Sequence, residues 1–259
     1  MDASGQDSGS SPASAVTVDV VLPAFNEERS LPLVLRAIPR PPVRRMVVAN
    51  NNSTDSTAQV AAEGGAVVVD APTPGYGSAC LSGIDWIRRN DPPDVLVFLD
   101  ADYSDHPEEL PRVIEPILSD AADVVIGSRI LGSRQRGALL PQARAGNVIA
   151  CTLIKLLYGH TYTDLGPFRA IRWSAYERLG MGDPNFGWTA EMQVKALRAG
   201  MRVEEVPVSY RKRIGVSKIT GTLRGTVLAG YKILWTVFRY SLGAPPGASP
   251  SQAPPPSSG

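Results

Sequence analysis

Two cysteines and two histidines in 259 residues leave little room for disulfide, thiolate or imidazole chemistry. Cys80 and Cys151 stand alone, a pattern that fits neither a disulfide framework nor a zinc site. With only His106 and His160 available, any metal is expected to sit on oxygen ligands, the preference of magnesium and manganese. Long apolar runs are missing as well. The best stretches, 145–154 and 225–238, are short or interrupted by a lysine, whereas a spanning helix needs roughly 18 uncharged residues. Residues 1–15 have neither a basic start nor an apolar centre, so they read as a disordered tail rather than a signal peptide. Net charge is absent too: 26 Lys and Arg against 25 Asp and Glu leave +1, which favours no acidic partner. The basic residues lack interleaved aromatics, so no nucleic-acid partner is expected. A cytoplasmic protein, soluble or in peripheral contact with the inner face of the plasma membrane, is the expectation.

What is present is an alternation of two signals. β-Branched runs at 16–22, 43–48, 66–69, 94–99 and 123–126 are separated by helical stretches near 28–37, 54–63, 77–89 and 107–119. This predicts an α/β fold, a Rossmann-like and mostly parallel sheet with helices on both faces. Runs as apolar as Val95-Leu96-Val97-Phe98-Leu99 suit strands covered on both sides. Further on, helices are predicted near 142–158 and 188–199, a short segment near 166–172, a strand near 202–209 and a last helix at about 219–240. One domain, 16–242, is expected, followed by a Pro/Ser-rich tail, 243–259, that is too polar to order itself.

In such sheets ligands bind beyond the carboxyl ends of the strands. The polar groups there are Pro23-Ala24-Phe25-Asn26-Glu27, Asn50-Asn51-Asn52, Asp100-Ala101-Asp102 and Gly127-Ser128-Arg129, and all four sets are expected to share one crevice. Two carboxylates one residue apart, Asp100 and Asp102, can both approach a divalent ion that neutralises a leaving diphosphate; the plainer reading is a helix-capping turn. Asn51 could read a nucleotide base, while Ser53 and Asp55 are explained by capping alone. Asp164 and Arg169 flank a tight turn, and Arg211 to Lys218 is the densest cluster of cations. Glu191 opens a helix where an acid is favoured in any case. Residues 202–240 hold eight Lys and Arg against two Glu, as expected for a phosphate-binding or membrane-facing end. The last helix reads either as an interfacial helix or as one packed on the domain with snorkelling cations.

The segments VVLPAFNEE, NNSTDST, FLDADYSDHP, VVIGSR, DLGPFRAIR, EVPVSYRKR and GVSKITGTLRG, in this order, resemble the family 2 glycosyltransferases of GT-A fold, especially polyprenyl-phosphate sugar transferases of the dolichol-phosphate mannose synthase type. The resemblance covers about residues 17–235. It implies that Pro23, Phe25 and Glu27 contact the nucleoside, Asn51 the base, and Asp100 and Asp102 a magnesium or manganese ion. Arg129, Arg169, Arg211 and Lys218 would serve donor or acceptor phosphates, and Asp164 the acceptor side. The sequence departs from the family pattern at Asn50-Asn51-Asn52, where Asp-Asp-Gly is usual, and at Pro72 to Gly77, where a basic residue is common. The turn before Arg169 is one residue shorter and carries Pro167, and the paired transmembrane helices of some relatives are absent.

The expected reaction is inverting, metal-dependent transfer of a hexosyl group from a UDP- or GDP-sugar to a polyprenyl phosphate. Its catalytic set would be Asp102, Asp164, Arg169 and Glu191. A hydroxyl acceptor is the alternative; it requires a base, for which Glu191 and Asp164 are the candidates. A non-catalytic nucleotide-sensing adaptor is a third reading.

Overall fold

The computed structural model describes residues 16–215 and 223–241. The two tails and Lys218 lie outside the described residues, as does the predicted start of the last helix. In chain order the elements are β1 (Val18–Ala24), α1 (Leu31–Ala37), β2 (Val43–Asn50), α2 (Thr57–Glu63), β3 (Val67–Asp70), α3 (Tyr76–Arg89) and β4 (Val95–Phe98). A 3-10 turn (Pro107–Glu109) leads into α4 (Leu110–Leu118), followed by β5 (Val124–Ser128), α5 (Pro141–Tyr158), β6 (Arg169–Arg172), α6 (Trp173–Leu179), α7 (Trp188–Arg198), β7 (Val203–Pro207) and α8 (Leu223–Arg239).

The described strands form one seven-stranded sheet in the order β3-β2-β1-β4-β6-β5-β7. All neighbours run parallel except β6, which is antiparallel to both β4 and β5. Strand side chains alternate between faces, and the core divides accordingly. Val21, Val47, Leu96 and Phe98 pack with α3, α5, α6 and α7. Val20, Leu22, Met46, Val48, Val95 and Val97 pack on the other side with α1 and α4. Burial on both faces is why β1 and β4 read as unbroken apolar runs. Helix α3 comes close to the sheet at Gly83, where a Cβ would lie 3.0 Å from Val21 Cγ1.

The predicted mostly parallel α/β fold is therefore found, with two differences. Helix α6 went unpredicted because it has only seven residues and follows β6 directly. Trp173, Tyr176 and Leu179 nonetheless repeat at helical spacing on its buried side, and Gly180 ends it in the left-handed region at φ 54°. The insertion of β6 between β4 and β5 has the larger consequence, because it moves the end of β5 one strand away from the end of β4.

Candidate active site

Strands β2, β1 and β4 are adjacent and parallel, so their carboxyl ends open together. A cleft of about 520 Å³ lies there, lined by Pro23 near the end of β1, Phe25 and Glu27 after it, Asn51, Asn52 and Thr54 after β2, Asp100 to Asp102 after β4, and Pro74 to Tyr76, Phe186 and Arg213. Gly127, Ser128 and Arg129 are not among these residues. The expectation of four converging strand ends is corrected to three, and the intervening β6 is the reason.

Asn51 and Asn52 act as a clasp. Asn51 donates both amide hydrogens to backbone carbonyls, Ala71 at 2.7 Å and Thr73 at 2.8 Å, and its Oδ1 accepts from Gly75 N–H at 2.9 Å. Asn52 reaches Ala71 O at 3.3 Å and Pro72 O at 3.1 Å. Its φ of 61° is one that asparagine tolerates better than most residues, which accounts for Asn standing where glycine is usual. An aspartate at 51 could not make these donations. The expectation that Asn51 reads a base is thus narrowed to acceptance: both donors are committed, and only an Oδ1 lone pair remains. Asp55 plays the local role expected of it, its Oδ1 accepting from Thr57 N–H at 3.0 Å at the start of α2. Ser53 instead accepts from Asn26 N–H at 3.0 Å.

Asp100 and Asp102 form the floor. Tyr76 donates its phenolic hydrogen to Asp100 Oδ1 at 3.0 Å. Burial pushes the Asp100 carboxyl upward, against the opposing pull of Arg213, Tyr76 and Arg129. Asp102 is 2% exposed. Its Oδ1 accepts from Ser104 N–H at 2.8 Å and Ser104 Oγ at 2.5 Å. Its Oδ2 has no hydrogen-bond partner but lies in ion-pair contact with the Arg213 guanidinium. A buried carboxylate with one oxygen held by Ser104 and the other met by a guanidinium at the cleft, beside a second carboxylate, suits a hard divalent ion. No group of three or more His, Cys, Asp or Glu side chains among the described residues could cage a metal.

Four other expected residues sit behind the cleft. Asp164 is fully buried and takes a two-pronged ion pair from Arg129, Nε to Oδ2 and Nη2 to Oδ1 both at 2.8 Å. Coulomb attraction to Asp164, opposed by burial, holds the Arg129 guanidinium well above its ordinary value. Arg169 is fully buried and has no ion-pair partner among the described residues. It donates to Gly166 O and, at 3.0 Å, to Thr189 O, and burial draws its pKa down to about 10, so it remains a cation at neutral pH. Glu191 is also fully buried, with its oxygens occupied by Gly182 N–H, Asp183 N–H, Tyr240 Oη and Lys195 Nζ. None of these four lines the cleft. Arg211 stacks 3.5 Å from the Tyr103 ring centroid and donates to the carbonyls of Tyr103 and Asp105.

Sequence reasoning passed over Tyr76, Asp105, Phe186 and Arg213. Tyr76 stands at the loop where a cation was noted as missing. Arg213 belongs to the same basic cluster as Arg211, but it alone of the two lines the cleft. Asp105 is 1% exposed, and neither of its oxygens has a hydrogen-bond partner. Burial, reinforced by Asp100, pushes it up to about 8.

Residues 19–180 match glycosyl transferase family 2. An uncharacterized glycosyltransferase of Mycobacterium tuberculosis is 41% identical over 214 residues, covering 82% of this chain and 94% of that one. The undecaprenyl-phosphate mannosyltransferase of Micrococcus luteus is 32% identical over 250 residues, covering 86% of this chain and 98% of its own. Among solved structures, glucosyl-3-phosphoglycerate synthase of Mycobacterium tuberculosis, in complex with Mn2+, UDP and phosphoglyceric acid, superposes with a TM-score of 0.70 at 21% identity, covering 89% of this chain and 80% of that one.

Proposed function

The chain belongs to glycosyl transferase family 2 and has the GT-A fold, and from that premise we propose that it moves a hexosyl group from a UDP- or GDP-sugar to a polyprenyl phosphate, with inversion and with magnesium or manganese. The observation that carries this reading is the Asp100–Asp102 pair at the floor of the cleft between the β1 and β2 loops. Pro23, Phe25, Glu27 and Asn51 would hold the nucleoside there. A divalent ion on Asp100 and Asp102 would supply Lewis-acid stabilisation of the leaving diphosphate.

A lipid phosphate is already anionic at neutral pH and needs no strong base. One of its oxygens attacks the anomeric carbon as the bond to the donor diphosphate breaks on the opposite face, and the electron pair leaves with that diphosphate. The work left to the protein is in-line positioning and charge stabilisation. Arg213 stands at the cleft for that task, with Arg211 at the neighbouring loop. Asp164, Arg129, Arg169 and Glu191 are assigned to positioning the walls. Their placement weighs against the hydroxyl-acceptor alternative, in which Glu191 or Asp164 had been expected to take a proton. The names of relatives favour lipid: besides the mannosyltransferase above, the dolichyl-phosphate hexose transferase of Haloferax volcanii is 32% identical.

No helix among the described residues is long and apolar enough to cross a membrane, so the acceptor would be met at a surface. Helices α5 and α8 pack on each other. They leave Val148, Ile149, Leu156, Leu157, Leu228, Tyr231, Trp235 and Phe238 exposed. Such side chains suit the interfacial layer of a bilayer.

The test is sugar transfer to a purified polyprenyl phosphate from a panel of UDP- and GDP-linked glucose, mannose, galactose and GlcNAc. One donor should support metal-dependent transfer by the wild type, and Asp102→Asn should lose it. Turnover that survives in Asp102→Asn would sink the metal assignment.

A further inference from the structure

The segment that follows β7 lies across the end of β4 as a strap. Its backbone is pinned on both sides: Tyr210 N–H donates to Ser133 O at 2.8 Å, Arg211 N–H to Ser104 O at 2.9 Å and Ile214 N–H to Asp102 O at 3.0 Å. The last of these bonds fixes Arg213 directly over Asp102. Its guanidinium contacts Asp102 Oδ2, the oxygen that has no hydrogen bond. It also ranks first among the charges that offset the burial of Asp100. Asp102 is almost sealed, with 3% of its side chain exposed, whereas Arg213 keeps 32% at the mouth of the cleft. One end of this ion pair is therefore sealed and the other opens to solvent or a ligand.

A divalent ion and a guanidinium compete for that oxygen, because at such close range their like charges repel. A nucleoside diphosphate changes the balance: it brings new anionic oxygens into the cleft, and a forked guanidinium suits a phosphate as well as it suits a carboxylate. We propose that Arg213 is a built-in counter-ion for the Asp100–Asp102 pair, which blocks the metal while the donor site is empty and passes to the donor diphosphate when metal and nucleotide enter together. The inference rests on the reading of Asp100 and Asp102 as the metal site. Metal alone then binds weakly and metal with nucleotide binds strongly, and by linkage each raises the affinity of the other by the same factor. The cleft would thus be kept from holding a metal without a donor.

Binding measurements on the full chain test this without turnover. Free Mn2+ is followed by electron paramagnetic resonance during titration of wild type, Arg213→Gln, Arg213→Lys and Asp102→Asn, each with no nucleotide, with UDP and with GDP. Thermal melts confirm that each variant is folded. Arg213→Gln should bind Mn2+ alone about tenfold more tightly than wild type and should bind the diphosphate more weakly at saturating Mn2+, so that the coupling shrinks. Arg213→Lys, which keeps the charge, should stay near wild type for Mn2+ alone. If wild type shows nucleotide-dependent Mn2+ binding that Asp102→Asn loses, yet Arg213→Gln binds Mn2+ alone no better than wild type, the counter-ion proposal falls and the metal site stands. If wild type binds no Mn2+ even with either nucleotide, both fall.

Discussion

Tyr240 donates its phenolic hydrogen to Glu191 Oε1 at 2.8 Å, tying the residue after α8 to the buried start of α7. The same carboxylate accepts from Asp183 N–H at 2.7 Å and pairs with Lys195 Nζ at 2.7 Å. The loop it anchors continues to Pro184, whose carbonyl accepts from Ser78 N–H in the first turn of α3 at 2.8 Å. Two residues further along that loop is Phe186, in the wall of the cleft. Glu191 therefore joins α7, α8 and the donor cleft through one carboxylate.

The Glu191→Gln variant should lose stability rather than chemistry. An amide cannot satisfy four donors, and it leaves Lys195 buried without its partner; breaking such a pair costs about 3–5 kcal/mol. A clear fall in the melting midpoint is expected, with kcat well below that midpoint within a few-fold of wild type. A normal midpoint with a rate lower by a hundredfold or more would restore Glu191 as a base and with it the hydroxyl acceptor.

The sheet and the Asp100–Asp102 floor were legible because strand-length apolar runs ending in polar residues carry their own address. Val95 to Leu99 has no other use than a central strand, and the residues that follow it must lie at the sheet's carboxyl edge. The roles of Asp164, Arg129 and Glu191 were not legible, since a carboxylate near an arginine reads the same whether it faces a substrate or a buried partner. What separates those cases is the antiparallel β6, a strand of four residues whose direction depends on how the chain between β5 and β6 returns. No local pattern in Arg169 to Arg172 encodes that direction. The asparagine clasp was hidden for a related reason: the carbonyls of Ala71 and Thr73, which Asn51 meets, belong to the loop after another strand.

Asp105 should make the protein less stable as pH rises. Its carboxyl, buried beside Asp100 and facing Asp164 and Tyr210 as well as the opposing Arg129, is pushed up to about 8, whereas an unfolded aspartate titrates near about 3.9. Between those values the folded chain holds a proton that the unfolded chain has lost, so the contribution is full below pH 4 and disappears through pH 8. Asp105→Asn removes the titration. In urea melts with EDTA it should differ little from wild type at pH 5 and gain progressively as pH rises, at up to about 1.4 kcal/mol per pH unit until pH 8. Parallel stability curves for the two proteins from pH 5 to 8.5 would mean that Asp105 is ionised and solvated.

The apolar side chains of α5 and α8 give the lipid reading its own test. Leu156 is 77% exposed and Trp235 47% exposed, so charges can be placed there with little effect on the core. Insertion of each into a bilayer would contribute up to about 1.5–3 kcal/mol. The Leu156→Glu/Trp235→Glu double variant should therefore lose at least about tenfold in co-flotation with vesicles of anionic phospholipid containing polyprenyl phosphate. The basic residues of 202–240 should make wild-type binding fall with salt. Thermal shifts with nucleotide and Mn2+ should be the same in both proteins, because neither position lines the cleft. Equal flotation of wild type and variant would remove the bilayer as the occupant of this face. If the variant then ran as a monomer where wild type ran as a dimer, the face would belong to a second copy of the chain, and the acceptor phosphate would have to reach the cleft by another approach.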